Sequence, residues 1–497
     1  MNEKIYKKTT ILFSVPGFGL STAWHANAIS AAKTPIFDDL WKNYKHFVIS
    51  SPYQMTKGRD LLSKALPYRM MDTGKPFVDN KVLIDKAIGH KLLDSNKMLK
   101  DIFDNISRHH SVLHLIGNIS KNAEFGDIDH LLHIIKLARK NSITNVLVHV
   151  IADNTFENVH EFGNKLAHLQ AALKTIGIGE IRSIVGQATV LAKGNSQILP
   201  KLYFENKSKK YLSLEQGLAR QKDKKPAELS PFIITKNRSM ISDFDSVILF
   251  NHTFDHLTSL LPYFLTSLPL FSFPKKPKFL QLISLFEFPT IYAEHLSSIF
   301  RRDSKKALSG KLNALKKKQL LICDSNDKAF LSYYFCGGDP DINIQTINQP
   351  GTLSANPSSV ANRYLDALSS AIKSEIYDLI SLDLCILVDS ARSGEFEIAK
   401  DTTEVIDELL KKIVELQFKR NLDIIFISPF GQAEKIAVKS SDEEVLLDPA
   451  KSPVPLIYIS EAHKQNSKSI NSIVEEIASD KHDLTLVNQI LCDSLGL

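Results

Sequence analysis

The chain has 497 residues, of which 43% are hydrophobic, 23% charged and 8% aromatic, which excludes disordered, collagen-like and disulfide-scaffold classes. Its formal charge is +6, and only 12 of the 61 cationic residues are Arg, a poor match to dense phosphate or base reading, so no nucleic-acid partner is expected. Cys323, Cys336, Cys385 and Cys492 lack C-x-x-C spacing and fit free thiols in a reducing compartment. No apolar run reaches the ~18 residues of a membrane span. The expectation is a cytoplasmic protein with no membrane partner.

Near the N-terminus Lys4, Lys7 and Lys8 precede Ile11-Leu12-Phe13-Ser14-Val15, and Ala26-Asn27-Ala28 has the form of a cleavage site. Pro16, Gly17 and Gly19 interrupt the run where a signal peptide needs an unbroken helix former. The expectation is a buried strand over 10–15 and a turn at Pro16-Gly17-Phe18-Gly19, with a cleaved signal as the alternative. Further strands are expected at 112–117, 145–151, 246–251, 281–286, 319–323, 382–389, 422–428 and 456–460. Amphipathic helices are expected at 128–140, 159–175, 358–372 and 396–419. This alternation is the pattern of parallel α/β sheets. The polar stretch 205–225 reads as a solvated excursion, and Pro-Lys-Lys-Pro-Lys at 274–278 as a linker.

Most polar features have a structural reading of their own. Asp389 at a strand end suits a cap or turn as well as a metal site. Adjacent His109 and His110 point apart and suit a surface loop. His149 falls on a buried strand, and Asp129-His130 at a helix start, where an acid is favourable by itself. Lysine runs at 207–210, 222–225 and 316–318 suit solvated faces, and Gly337-Gly338 suits a tight turn.

Several segments, in order, resemble the cofactor-independent phosphoglycerate mutases of the alkaline-phosphatase superfamily. They begin with Phe13-Ser14-Val15-Pro16-Gly17-Phe18-Gly19, Asn27-Ala28-Ile29 and Thr34-Pro35-Ile36-Phe37-Asp38. Next come Leu113-His114-Leu115-Ile116-Gly117, Ile128-Asp129-His130-Leu131, Val146-Leu147-Val148-His149 with Asp153, and the segment 181–186. Val247-Ile248-Leu249-Phe250-Asn251 with Asp255, Phe335-Cys336-Gly337-Gly338, and Phe396-Glu397 through Val405-Ile406-Asp407 follow. Gly431-Gln432-Ala433-Glu434 with Pro453-Val454-Pro455 closes the series. The resemblance implies an α/β fold: an alkaline-phosphatase-like domain at 1–84 and 277–497, and an inserted phosphotransferase-like substrate domain at 85–276.

It also implies a phosphoryl relay through serine on two divalent ions, usually manganese, held by Asp, His and the serine oxygen. The family's positions are altered here. The Asp of D-G-W-G is Pro16, the Asp-His of A-D-H-G-N falls on Pro429-Phe430, and the His of H-T-x-N-P-V-P falls on or beside Pro449. The motif N-x-D-M-V-G-H-T-G becomes Val388-Asp389-Ser390-Ala391-Arg392-Ser393-Gly394, which keeps Asp389 as a weak metal remnant. Ser63 stands nearest the place of the serine. On the substrate side G-G-V-H-S-H reads Ala123-Glu124-Phe125-Gly126-Asp127, and D-G-R-D reads Asp153-Asn154-Thr155-Phe156, leaving Asp153. The arginines of F-R-P-D-R are absent from His252-Thr253-Phe254-Asp255-His256.

Proline and phenylalanine offer a metal no side-chain lone pair, and one carboxylate does not hold two divalent ions. The expectation is a catalytically degenerate homologue that serves as a structural or interaction protein. No cofactor is expected, and an unknown protein partner is. The surfaces at 205–225 and 271–279, with Tyr211, Leu212, Leu214, Phe271, Phe273 and Phe279, are the first place to look for it. Two alternatives stay open. One is an active phosphoglycerate mutase with two manganese ions; the other is a diverged phosphate-ester or small-ligand binder using the same cleft.

Overall fold

The computed structural model describes residues 7–51, 65–76, 78, 80–192, 198–234, 240–253, 257, 259–265, 277–287, 296–300, 307–339, 342–348, 356–417, 420–436, 451–461, 464 and 482–497. The strands are β1 Thr9–Ser14, β2 Lys45–Ile49, β3 Leu113–Ile119, β4 Val146–Ala152, β5 Glu180–Gly186, β6 Lys209–Tyr211, β7 Phe232–Ile234 and β8 Ser246–Leu249. They continue as β9 Gln281–Phe286, β10 Ser297–Phe300, β11 Gln319–Asp324, β12 Asn343–Ile347, β13 Leu379–Asp383, β14 Leu422–Ile427 and β15 Val454–Ile459.

The chain forms two compact units, Met1–Phe77 with Asp303–Leu497, and Val78–Arg302. The first holds a seven-stranded sheet of order β12-β11-β13-β1-β14-β15-β2, the second an eight-stranded sheet of order β10-β9-β8-β3-β4-β5-β7-β6. In the first sheet β15 is antiparallel to β14 and to β2; the other pairings are parallel. In the second only β5 and β7 pair antiparallel. Strands buried on both faces need continuous apolar runs rather than alternation, and β1, β3, β4, β13 and β14 are buried at every position.

The helices carry their own start and stop signals. Helix Ile128–Lys140 begins where Asp127 accepts the Asp129 N–H, at 2.8 Å. Helix Val159–Ile176 begins where Asn158 accepts the Glu161 N–H at 2.9 Å, and stops at Gly177 with φ +85°. Helix Pro35–Asn43 has no cap from its own Thr34. Asp407, buried on the long helix Phe396–Gln417, supplies one from far along the chain. Its carboxylate accepts the N–H groups of Ile36 and Phe37 at 3.1 and 2.8 Å.

Three expectations need correction. The return to the first unit does not fall at 274–278, because β9 pairs in parallel with β8, and β10 with β9. β9 and β10 therefore extend the second sheet, and the units divide at 77/78 and 302/303 rather than 84/85 and 276/277. The strand expected over 382–389 is instead β13 followed by a short helix, Ile386–Arg392. A continuous apolar run is shared by buried strands and buried helices, so period alone cannot divide it. Within 205–225, Tyr211, Leu214 and Leu218 are buried in the core of the second unit, because β6 and helix Leu214–Ala219 turn their apolar residues inward between exposed lysines. Of the residues chosen there for a partner, Leu212 is exposed; Phe271 and Phe273 lie outside the described residues. Among the described residues no helix is long and apolar enough to cross a membrane.

Asp407→Ala removes two hydrogen bonds from an otherwise uncapped helix start. The expected loss is about 1–2 kcal/mol, read as a lower urea midpoint at unchanged m-value, with Asp407→Asn recovering part of it.

Candidate functional site

In open parallel sheets, ligands bind beyond the C-terminal strand ends where the strand order reverses. In the first unit β1 occupies that place, with β13 and β14 on either side. Two loops leave this edge and clasp through their backbones. Gly17 donates its N–H to Phe430 O at 2.8 Å, and Gly17 O accepts from Gln432 and Ala433 at 3.2 and 2.9 Å. Gly17 has φ +97°, and a Cβ there would lie 3.0 Å from the Val388 backbone, so the clasp requires glycine.

Apolar side chains fill the positions that the resemblance assigns to metal ligands. Pro16, Pro429 and Phe430 are buried, as is Val388 against Gly17. Asp389, the expected remnant ligand, is half-buried in the first turn of helix Ile386–Arg392. Ser63 and Pro449 lie outside the described residues. Among the described residues no group of three or more His, Cys, Asp or Glu side chains is arranged to hold a metal ion. These residues do not fit a two-metal centre.

The buried acid of this edge is Asp383, at the end of β13. Its Oδ1 accepts from the Ser14 hydroxyl at 2.6 Å and the Tyr68 hydroxyl at 2.9 Å, and its Oδ2 from the Cys385 thiol at 3.3 Å. Burial pushes its pKa up to about 6, with the Asp327 carboxylate adding to the rise, and the three hydrogen bonds oppose it. Burial followed by the Asp383 charge raises Tyr68 well above the usual phenol range and raises Cys323 likewise. A thiol or phenol held this way keeps its proton and is no nucleophile. Asp383 escaped sequence reasoning because it sits inside the apolar run taken for one strand; an acid interrupting such a run was the available signal. Glu434, in the second clasping loop, is also buried, against Gly19 and Gly431. Burial raises its pKa, opposed by the N–H groups of Glu434, Gln432 and Gly19 and by the Ser452 hydroxyl.

In the second unit Asp153 lies buried just past the end of β4. Its Oδ2 accepts from Ser120 Oγ at 2.7 Å and Asn118 Nδ2 at 3.4 Å. Its Oδ1 accepts from the N–H and hydroxyl of Thr155 at 3.1 and 2.5 Å. Burial raises its pKa, and its oxygens serve the loop. His149 joins a buried chain across four strands: Ser183 Oγ lies 2.8 Å from His149 Nδ1, His149 Nε2 lies 3.0 Å from His114 Nδ1, and His114 Nε2 lies 3.2 Å from Asp245 Oδ2. The carboxylate can only accept, so the protons run one way, from Ser183 toward Asp245, and both imidazoles carry theirs on Nε2. Burial holds both histidines below the usual imidazole range; His149 is held furthest, with the His114 and Arg182 charges adding to the effect.

Comparison with known proteins agrees with this architecture. The family model "BPG-independent PGAM N-terminus" matches residues 84–290. The 2,3-bisphosphoglycerate-independent phosphoglycerate mutase of Clostridium botulinum (strain ATCC 19397 / Type A) is 24% identical over 478 residues, covering 92% of this chain and 93% of that protein. The enzyme of the same name from Francisella tularensis subsp. tularensis is 24% identical over 481 residues, covering 92% of each. Leishmania mexicana phosphoglycerate mutase, crystallised at low cobalt concentration, shares the fold with a TM-score of 0.70 at 15% identity, covering 100% of this chain and 96% of that one.

The buried acids and histidines set opposite pH dependences. Asp383 has a folded pKa raised to about 6 from 3.8. Its contribution to stability is therefore greatest below 4 and is lost as pH rises to about 6, on the order of 3 kcal/mol. Asp383→Asn is expected to flatten that slope in urea titrations between pH 4 and 8. The lowered pKa values of His114 and His149 act the other way: the second unit loses stability as pH falls below 6.5. Their 15N shifts are expected to remain those of neutral imidazoles at pH 6.

Proposed function

We propose that the chain, which resembles the 2,3-bisphosphoglycerate-independent phosphoglycerate mutases over nearly its full length, is a non-catalytic homologue serving as a structural or interaction protein with a protein partner. The observation that carries this reading is the burial of Pro16 and Phe430 in the backbone clasp at the strand ends, where the family's relay needs oxygen and nitrogen ligands. Catalysis by such a relay depends on placed charges, and Asp383 is committed to Ser14, Tyr68 and Cys385. Phe279, exposed and stacked on Phe244, gives the partner reading a described surface to test.

The competing reading, an active mutase, draws on the names of the relatives and on their coverage of the chain. The two separate in an assay of 3-phosphoglycerate to 2-phosphoglycerate conversion with and without manganese. No conversion is expected, and manganese is expected to leave the melting temperature unchanged, since an ion that does not bind the native state cannot stabilise it. Pro429→Asp combined with Phe430→His is expected to restore nothing, because the relay's parts act as a unit. Conversion by the unaltered chain, abolished by Asp389→Ala, would overturn the proposal.

A further inference from the structure

The order of the second sheet ends at strand β6. Residues 201–228, which run through this edge, hold eight cationic and four acidic residues, a net +4 against +6 for the whole chain. All eight cations are exposed. Glu205 takes up Lys207 at 2.8 Å, and Lys224 donates to Ser230 Oγ at 2.7 Å. Among the described residues Lys209, Lys210, Arg220, Lys222 and Lys225 are in no ion pair. Lysines on an edge strand discourage pairing with another chain, which accounts for Lys209 and Lys210. It does not account for Arg220, Lys222, Lys224 and Lys225, which follow helix Leu214–Ala219 and lie outside the strand. Nor does it account for Leu212, which stands between the two groups in sequence and is 75% exposed. Next to Leu212, at Ser213, a groove of about 340 Å³ opens between helix Val159–Ile176 and helix Leu214–Ala219. Leu173, Leu214 and Ile234 give it apolar walls, and its own charges, Lys174 against Glu180 and Glu215, largely offset one another.

We propose that this edge docks an acidic segment of a protein partner, with carboxylates on the cations of 209–210 and 220–225 and an aliphatic side chain in the groove beside Leu212. The inference rests on the non-catalytic reading of the chain and gives its partner a chemistry. Exposed charge of one sign steers an oppositely charged partner and sets its register, and most of this chain's net charge is gathered here. The composition of the edge favours a protein over other polyanions. Seven of the eight cations are lysine, which meets a phosphate as a point charge without the guanidinium fork. No aromatic residue of 201–228 is exposed, so none is presented for stacking on a base. A lipid surface calls for a helix with an outward apolar face, whereas helix Leu214–Ala219 turns Leu214 and Leu218 into the core.

The test titrates the full chain into a fluorescein-labelled, glutamate-rich peptide with one central leucine, read by anisotropy. Binding is expected to weaken as salt is raised, and to weaken when serine replaces the leucine. Lys209→Glu with Lys210→Glu, and separately Lys222→Glu with Lys225→Glu, are each expected to weaken it about tenfold or more. The second pair leaves the edge strand untouched, so it decides if the first fails to fold. Lys316→Glu with Lys318→Glu removes the same charge from a lysine run in the first unit and is expected to leave binding within about twofold. Absence of peptide binding overturns the proposal, as does an equal loss in the Lys316 and Lys318 variant, or tighter binding of a DNA duplex or of phosphatidylserine vesicles. Conversion of 3-phosphoglycerate by the same preparation would overturn the non-catalytic reading instead, whatever the peptide does.

Discussion

The backbone clasp between Gly17 and the segment 430–433 is the constraint on which the first unit's strand-end edge depends. Its hydrogen bonds run from main chain to main chain, so they ask nothing of the side chains at Pro16, Pro429 and Phe430 beyond a fit. A two-metal centre asks for much more, because carboxylates gathered in a buried cleft repel one another until cations arrive. Pro16, Pro429 and Phe430 carry no charge to repel one another, and their burial removes apolar surface from water at about 25 cal/mol per Å². A fold held this way does not need the ion. It does need Gly17, which no other residue can replace without meeting the Val388 backbone.

The legible parts of the fold are those where a local rule and the tertiary context agree. Helix Ile128–Lys140 and strand Gln281–Phe286 are readable to the residue, the helix from its period and the strand from a bounded apolar run. The segment 379–392 was not readable, because a buried strand and a buried helix share one apolar signature. Tyr211 and Leu214 read as surface in the sequence because lysines surround them; a short edge strand and a short helix separate those lysines from the core in space.

At the candidate site, sequence reading found acids but not their partners. Asp153 and Asp389 could be named from position alone. The Thr155 contact of Asp153 is local, but those from Ser120 and Asn118 come from 33 and 35 residues away, at and beyond the end of β3, which no spacing rule encodes. Asp383 depends on contacts longer still, from Ser14 and Tyr68. The fold itself created these pairings, so composition and motif could not reveal them.

The two units solve the burial of ionisable groups in opposite ways. Around Asp383 burial and the Asp327 carboxylate favour the protonated acid against the hydrogen bonds of two hydroxyls and a thiol, so the cost of charge is avoided by taking up a proton once the pH falls below about 6. In the second sheet Asp245 accepts from the N–H groups of Val112 and Ser242 and from His114 Nε2. The proton order from Ser183 to Asp245 then follows, and both imidazoles stay neutral between them. A carboxylate offers a phosphate or a sugar acid's carboxylate no donor, and lone pairs engaged inside the fold are not available to a substrate hydroxyl. Asp153, Asp383 and the His114–His149 chain each spend their hydrogen bonds on neighbouring strands and loops of their own unit.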